Sequence, residues 1–170
     1  MVAYAGGIVE VEDLYDVTEL VLCRLSDSAA KVNNTLASDD TLFTPELPAN
    51  SSWIFEGWLW VTSALDADPD FKAQFLGPSG ASGAWSLWGQ TTAATTAIGS
   101  IDHGIVATPF SSAHARRAIA GGGLTLLANG YMQIDATPGA VTLQWAQNTT
   151  DAGSGIVLKE GSHLRFKRVA

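Results

Sequence analysis

The sequence has almost no cysteine, little charge and no long apolar run, and each shortage removes a class of protein. A single cysteine, Cys23, excludes an internal disulfide framework in a chain of 170 residues. It lies in Glu19-Leu20-Val21-Leu22-Cys23-Arg24-Leu25, an apolar run in which a small buried thiol is expected. No apolar stretch approaches the ~20 residues that a membrane-spanning helix requires, so no membrane partner is expected. The segment Met1-Val2-Ala3-Tyr4-Ala5-Gly6-Gly7 has neither a basic start nor a long apolar centre, so no secretory signal is expected. Asn33, Asn50 and Asn148 each begin an Asn-x-Ser/Thr triplet, and in that setting they read as turn and edge residues, not glycan sites.

Charged residues make up 15% of the chain, against roughly 25% in an average soluble protein. A surface so poor in charge must present Ser, Thr, Asn, Gly and Ala to water, a composition common among secreted, cell-surface and virion β-proteins. The charge present is unevenly placed. Residues 1–70 hold thirteen acidic and two basic side chains, a net −11, whereas residues 71–170 hold four acidic and seven basic, a net +3. This asymmetry either favours head-to-tail contacts between copies or simply keeps the chain soluble. No basic patch reaches the density that phosphate neutralisation needs, so nucleic acid is not an expected partner.

Short alternating segments separated by turn chemistry fill the rest. Ser52-Trp53-Ile54-Phe55-Glu56-Gly57-Trp58-Leu59-Trp60-Val61-Thr62 is the clearest, and it is apolar on both faces. That pattern suits a central strand with the core on one side and a partner on the other. Phe71, Ala73 and Phe75 share one face of a strand over 70–76, and 84–89 and 140–147 form others. The stretch 123–135 is either one long strand or a hairpin turning at Asn129-Gly130. Strands are also expected over 20–25, 31–36, 41–43 and 156–159, and over 162–168, where Leu164 and Phe166 face one way and Arg165 and Lys167 the other. Glu12 to Val17 suggests one helical turn, and Ser111 to Ala120 a short helix or loop. Nine or ten short strands predict an all-β domain, a jelly-roll-like β-sandwich over 19–170. Residues 1–18 are acidic yet carry Ile8, Val9, Val11, Leu14, Tyr15 and Val17, and they read as an arm.

Catalytic and metal signals are weak. Asp102 adjoins His103, but no Gly-x-Ser-x-Gly elbow accompanies them, and an ordinary turn is the better reading. His103, His114, His163 and Cys23 lack zinc-ligand spacing. Asp66, Asp68 and Asp70 alternate, but Pro69 and Phe71 break a calcium-loop pattern. Gly77-Pro78-Ser79-Gly80-Ala81-Ser82-Gly83 lacks the Lys-Ser/Thr ending of a phosphate loop and reads as a tight turn. No enzyme activity, metal or cofactor is expected. The six tryptophans carry the functional signal. Trp58 and Trp60 share one strand face, alternating with Trp53, Phe55 and Leu59 on the other. Trp53, Trp58 and Trp60, with Arg165 and Lys167 of the last strand, are the candidate interface or ligand residues. A subunit interface is favoured over stacking on sugar rings, the alternative.

The chain also resembles small β-rich virion proteins of tailed actinobacterial phages and prophages. The resemblance runs from about Val32 to the end. It rests on the order of Val32-Asn33-Asn34-Thr35-Leu36-Ala37-Ser38-Asp39-Asp40-Thr41-Leu42, Leu47-Pro48-Ala49-Asn50-Ser51-Ser52-Trp53-Ile54-Phe55-Glu56-Gly57-Trp58-Leu59 and Asp70-Phe71-Lys72-Ala73-Gln74-Phe75-Leu76-Gly77-Pro78-Ser79-Gly80-Ala81. Leu143-Gln144-Trp145-Ala146-Gln147-Asn148-Thr149-Thr150-Asp151 and Gly161-Ser162-His163-Leu164-Arg165-Phe166-Lys167-Arg168-Val169 complete it. It implies a non-enzymatic structural protein of the virion, made in the host cytoplasm, as head decoration or minor tail component. The implied partners are other copies of itself, a trimer being one form, and other virion proteins, with a host-surface glycan as the alternative ligand.

Overall fold

The computed structural model describes residues 19–33, 38–63, 70–92, 101–102, 108–109, 111–118 and 123–170. The expected arm over 1–18, with the helical turn in it, lies outside the described residues, as do Asp66, Asp68 and His103. The described elements are all strands: β1 Glu19–Cys23, β2 Ser38–Asp39, β3 Glu46–Leu47, β4 Ser51–Ser63, β5 Phe71–Leu76, β6 Ser82–Gln90 and β7 Ile101–Asp102. They continue with β8 Thr108–Pro109, β9 His114–Arg116, β10 Leu124–Ile134, β11 Gly139–Ala140, β12 Thr142–Gln147, β13 Ile156–Leu158 and β14 His163–Arg168. The all-β class read from the sequence is therefore the class observed.

A large antiparallel sheet has the order β1-β14-β4-β10-β6-β7, with β13 also on β4 and β8 also on β6. A four-stranded antiparallel sheet has the order β2-β12-β5-β9, and β3 pairs with β11 at the fringe. Strands next to each other in the chain mostly fall in opposite sheets: β4 pairs with β10 and β14, whereas β5 pairs with β12 and β9.

Alternation along β4 sets the packing. Trp53, Phe55, Leu59 and Val61 point inward and are buried, while Ile54, Glu56, Trp58 and Trp60 point outward. From the facing sheet come Phe71, Ala73, Phe75, Leu143 and Trp145. Phe75 is the centre of an aromatic chain between the sheets, 4.9 Å from Phe55 and 5.0 Å from Trp85 in edge-on geometry. The Trp53 indole N–H is buried with its partner, Ser51 Oγ, at 2.8 Å.

Two glycines allow the central strands to approach. A Cβ on Gly57 would run into the His163 carbonyl oxygen, and one on Gly130 would lie 2.8 Å from the Phe55 ring. Asn129-Gly130 is thus the middle of a continuous strand, not a hairpin turn. Asn33 (φ 52°) and Asn50 (φ 53°) adopt the left-handed backbone of turn residues.

Several expectations are corrected. Cys23 is exposed, because β1 sits at the margin of the large sheet with Leu20 and Leu22 toward the core and Val21 and Cys23 away from it. His114–Arg116 is a strand paired with β5, not part of a helix. The anticipated strand at 31–36 reduces, among described residues, to one bridge from Lys31 to Ile156, and 41–43 forms bends. That bend has a cause. Buried Asp40 accepts hydrogen bonds from the Leu42 and Phe43 backbone N–H groups, from Trp145 Nε1 at 2.8 Å and from Arg24 Nη2 at 3.1 and 3.2 Å. Lys31 Nζ sits 3.8 Å above the Trp145 ring and donates to the Trp145 carbonyl at 2.8 Å. These two cations pin the segment after β1 onto the smaller sheet.

Candidate functional site

The side of the large sheet turned away from the smaller sheet gathers the candidate residues. Strand register arranges its side chains in rows running across the strands. One row holds Cys23, His163, Trp58, Leu127 and Trp88, and the next Val21, Arg165, Glu56, Asn129 and Ser86. A third holds Glu19, Lys167, Ile54, Tyr131 and Ala84. Neighbours in a row are close enough to act as cross-strand pairs.

Among the described residues, eleven large hydrophobic side chains are exposed, and six of them share this one face: Val21, Ile54, Trp58, Trp60, Leu127 and Tyr131. Trp58 is 57% exposed and Trp60 40%, whereas Trp53 is 0% exposed. Trp53 therefore belongs to the core, and its candidacy as an interface or ligand residue is withdrawn; Trp58, Trp60, Arg165 and Lys167 are brought together on the outer face. Sequence reading missed Ile54, Leu127 and Tyr131 as members of this surface. Alternation along β10, with Leu126 and Met132 inward, is the signal that places Leu127 and Tyr131 outside.

The fold fixes these side chains from below. The turn between β13 and β14 holds both backbone groups of Trp60: the Lys159 N–H donates to its carbonyl at 2.8 Å, and its N–H donates to Ser162 Oγ at 3.0 Å. The His163 and Trp58 rings lie near parallel with centroids 6.3 Å apart. Beside them is a depression of about 330 Å³ lined by Glu56, Trp58, Leu127, Asn129, His163 and Arg165.

Charge on the face is balanced. Arg165 donates to Glu19 at 2.9 Å and to Glu56 at 3.4 Å, so it bridges two carboxylates from different strands. The hydrogen bond from Arg165 holds the Glu19 carboxyl below its ordinary value, and the same bond raises Arg165. Glu19, Glu56, Arg165 and Lys167 together sum to zero on a chain whose net charge is −8.

No group of three or more His, Cys, Asp or Glu side chains that could hold a metal occurs among the described residues. His114 is buried edge-on to Trp85, 4.6 Å between ring centroids, with Nε2 3.2 Å from the Trp85 carbonyl. Desolvation, first, and the nearby Arg116 charge lower its pKa against the opposing pull of that carbonyl. It is part of the packing between sheets. No family model matches the sequence, and no curated protein matches it.

Proposed function

We propose that the chain is a non-enzymatic structural component of a phage virion, a head-decoration or minor tail protein, that docks through the outer face of its large sheet. The observation that carries this is the concentration of exposed aromatic and aliphatic side chains on that one face, around a balanced charge network. Burial of such a patch is worth roughly 25 cal/mol per Å² of apolar surface, and a patch of this kind marks an interaction site. Aromatic residues with an arginine at the centre are the composition of interface cores. The order of the virion sequence segments described above supports the particle setting.

The proposal extends to architecture. The orders β1-β14-β4-β10 and β2-β12-β5-β9, with the chain passing between sheets, support a jelly roll, in which β6 adds a strand outside β10. Jelly rolls built from two Greek keys are used in viral capsid and lectin domains.

The lectin-like alternative has its own support in the depression beside Trp58. An exposed indole flanked by Glu56, Asn129 and Arg165 offers a stacking face and planar hydrogen-bonding groups to a sugar ring. One experiment bears on both readings. Antibody raised against the chain should label purified tailed particles, and the Trp58→Ala/Trp60→Ala variant should be lost from them. Particles free of label would defeat the virion reading. Labelled particles that keep the variant, with tryptophan fluorescence of the wild type that shifts on adding host-wall glycans, would favour the glycan reading.

A further inference from the structure

We infer that the occupant of the outer face is the same face of a second copy, related by a two-fold axis that runs along β4. This rests on the docking face proposed above and names its partner. Charge is the first argument. Each chain carries −8, so two copies repel through most of their surface. Among the described residues, Glu19, Glu56, Arg165 and Lys167 on this face cancel, with Arg165 already bridging Glu19 and Glu56, so these groups set no net local charge of one copy against the other. They offer a strongly acidic or basic partner no local excess of the opposite sign.

Geometry gives the axis. An isologous contact brings one patch against itself. Register places β14 and β10 on opposite flanks of β4, with Arg165, Glu56 and Asn129 in one row and Lys167, Ile54 and Tyr131 in another. A two-fold axis across the strands along the Arg165 row would stack Arg165 and Glu56 each on its own image. An axis along β4 instead sets Arg165 opposite the partner copy's β10 at Asn129, and Lys167 opposite β10 at Tyr131, where an ammonium can rest on a ring. Trp58, Trp60 and Glu56 then meet their own images at the centre, with Arg165 of each copy beside its Glu56 carboxylate at 3.4 Å.

Size sets the strength. From β1 to β10 the exposed face spans three inter-strand steps of ~4.8 Å, about 15 Å, and from Ile54 to Trp60 six residues at ~3.3 Å, about 20 Å. That is a projected ~300 Å², which side-chain relief increases but leaves below the ~800 Å² per partner of an ordinary stable interface. A reversible dimer is the expected result, suited to a subunit that must still be placed on a particle.

Cysteine trapping tests this on the full chain. In a Cys23→Ser background, Ile54→Cys places a thiol on the axis while keeping Trp58 and Trp60, and Leu42→Cys places one at an exposed site elsewhere. Mild oxidation should shift the Ile54→Cys chain from 17.8 kDa to twice that mass on a non-reducing gel and leave the Leu42→Cys chain unshifted. Equal trapping of the two, or none at Ile54→Cys, overturns the self-contact. Since Ile54 is exposed, the variant is expected to fold, and an unchanged circular dichroism spectrum verifies that the result reads contact. Absence of trapping together with loss of Trp58→Ala/Trp60→Ala from particles would remove the self-contact and leave the docking face standing. Retention of that variant in particles would remove the docking face itself.

Discussion

Replacing Asp40 by Asn is expected to be among the most damaging single-atom changes this domain can suffer. The carboxylate is 2% exposed and accepts from the Arg24 guanidinium, itself 12% exposed, from the Trp145 indole and from two backbone N–H groups. The amide keeps the shape but removes the charge and one acceptor. Whichever way it turns, its NH₂ faces a donor: the Trp145 N–H on one side, or the Leu42 and Phe43 N–H groups on the other. Removing one member of a buried ion pair costs about 3–5 kcal/mol, and the slight exposure of Arg24 favours the lower end. One orphaned N–H adds about 1–3 kcal/mol. A total near ~4 kcal/mol would consume a large part of the ~5–15 kcal/mol that holds an ordinary domain. Urea unfolding followed by tryptophan fluorescence should show a lower midpoint with an unchanged slope. Adding Arg24→Met to Asp40→Asn should recover part of the loss, because the uncompensated guanidinium leaves with it. A loss below about 1 kcal/mol, the scale of a surface pair, would refute the reading of Asp40 as a buried hub.

Gly57→Ala should push β4 away from β14 at the His163 carbonyl and cost about 3 kcal/mol or more, read as a fall in thermal midpoint. Trp53→Ala should cost about 3–5 kcal/mol in urea unfolding, while Trp58→Ala on the same strand should stay within ~0.5 kcal/mol. His114 has a pKa lowered from the ordinary 6.5, so the unfolded chain binds more protons between the two values. Its contribution to stability should be complete above pH 6.5 and decline as pH falls below it, and His114→Gln should flatten that slope in a pH series of unfolding midpoints.

Much of the fold was legible because strands β4, β5 and β14 alternate cleanly and carry large side chains on the buried face. Leu164 and Phe166 inward with Arg165 and Lys167 outward is the pattern a half-buried strand must show. Two-residue strands such as β3, β7 and β8 have too few side chains to carry any period. The segment Ala113-His114-Ala115-Arg116 suggested helix through its alanines, but pairing with β5 and burial of His114 and Arg116 decided the outcome. Local propensity is a weak prior where a sheet margin offers hydrogen bonds. Cys23 was misplaced because a run of apolar residues does not reveal that only one side of β1 faces the core. The burial of Asp40 was not legible, since nothing local shows that Arg24 and Trp145, far apart in sequence, converge on it. The exposed face was half visible: Trp58 and Trp60 announced it, while Ile54, Leu127 and Tyr131 joined through register, which sequence alone leaves open.

Light scattering of the purified wild-type chain across a wide concentration range tests the central claim, that the outer aromatic face docks on the same face of a second copy, most directly. The account predicts a mass that rises from 17.8 kDa toward a multiple of it as concentration increases, and a Trp58→Lys variant that stays at 17.8 kDa throughout. A wild-type chain that remains at 17.8 kDa at every concentration, indistinguishable from the variant, would contradict it.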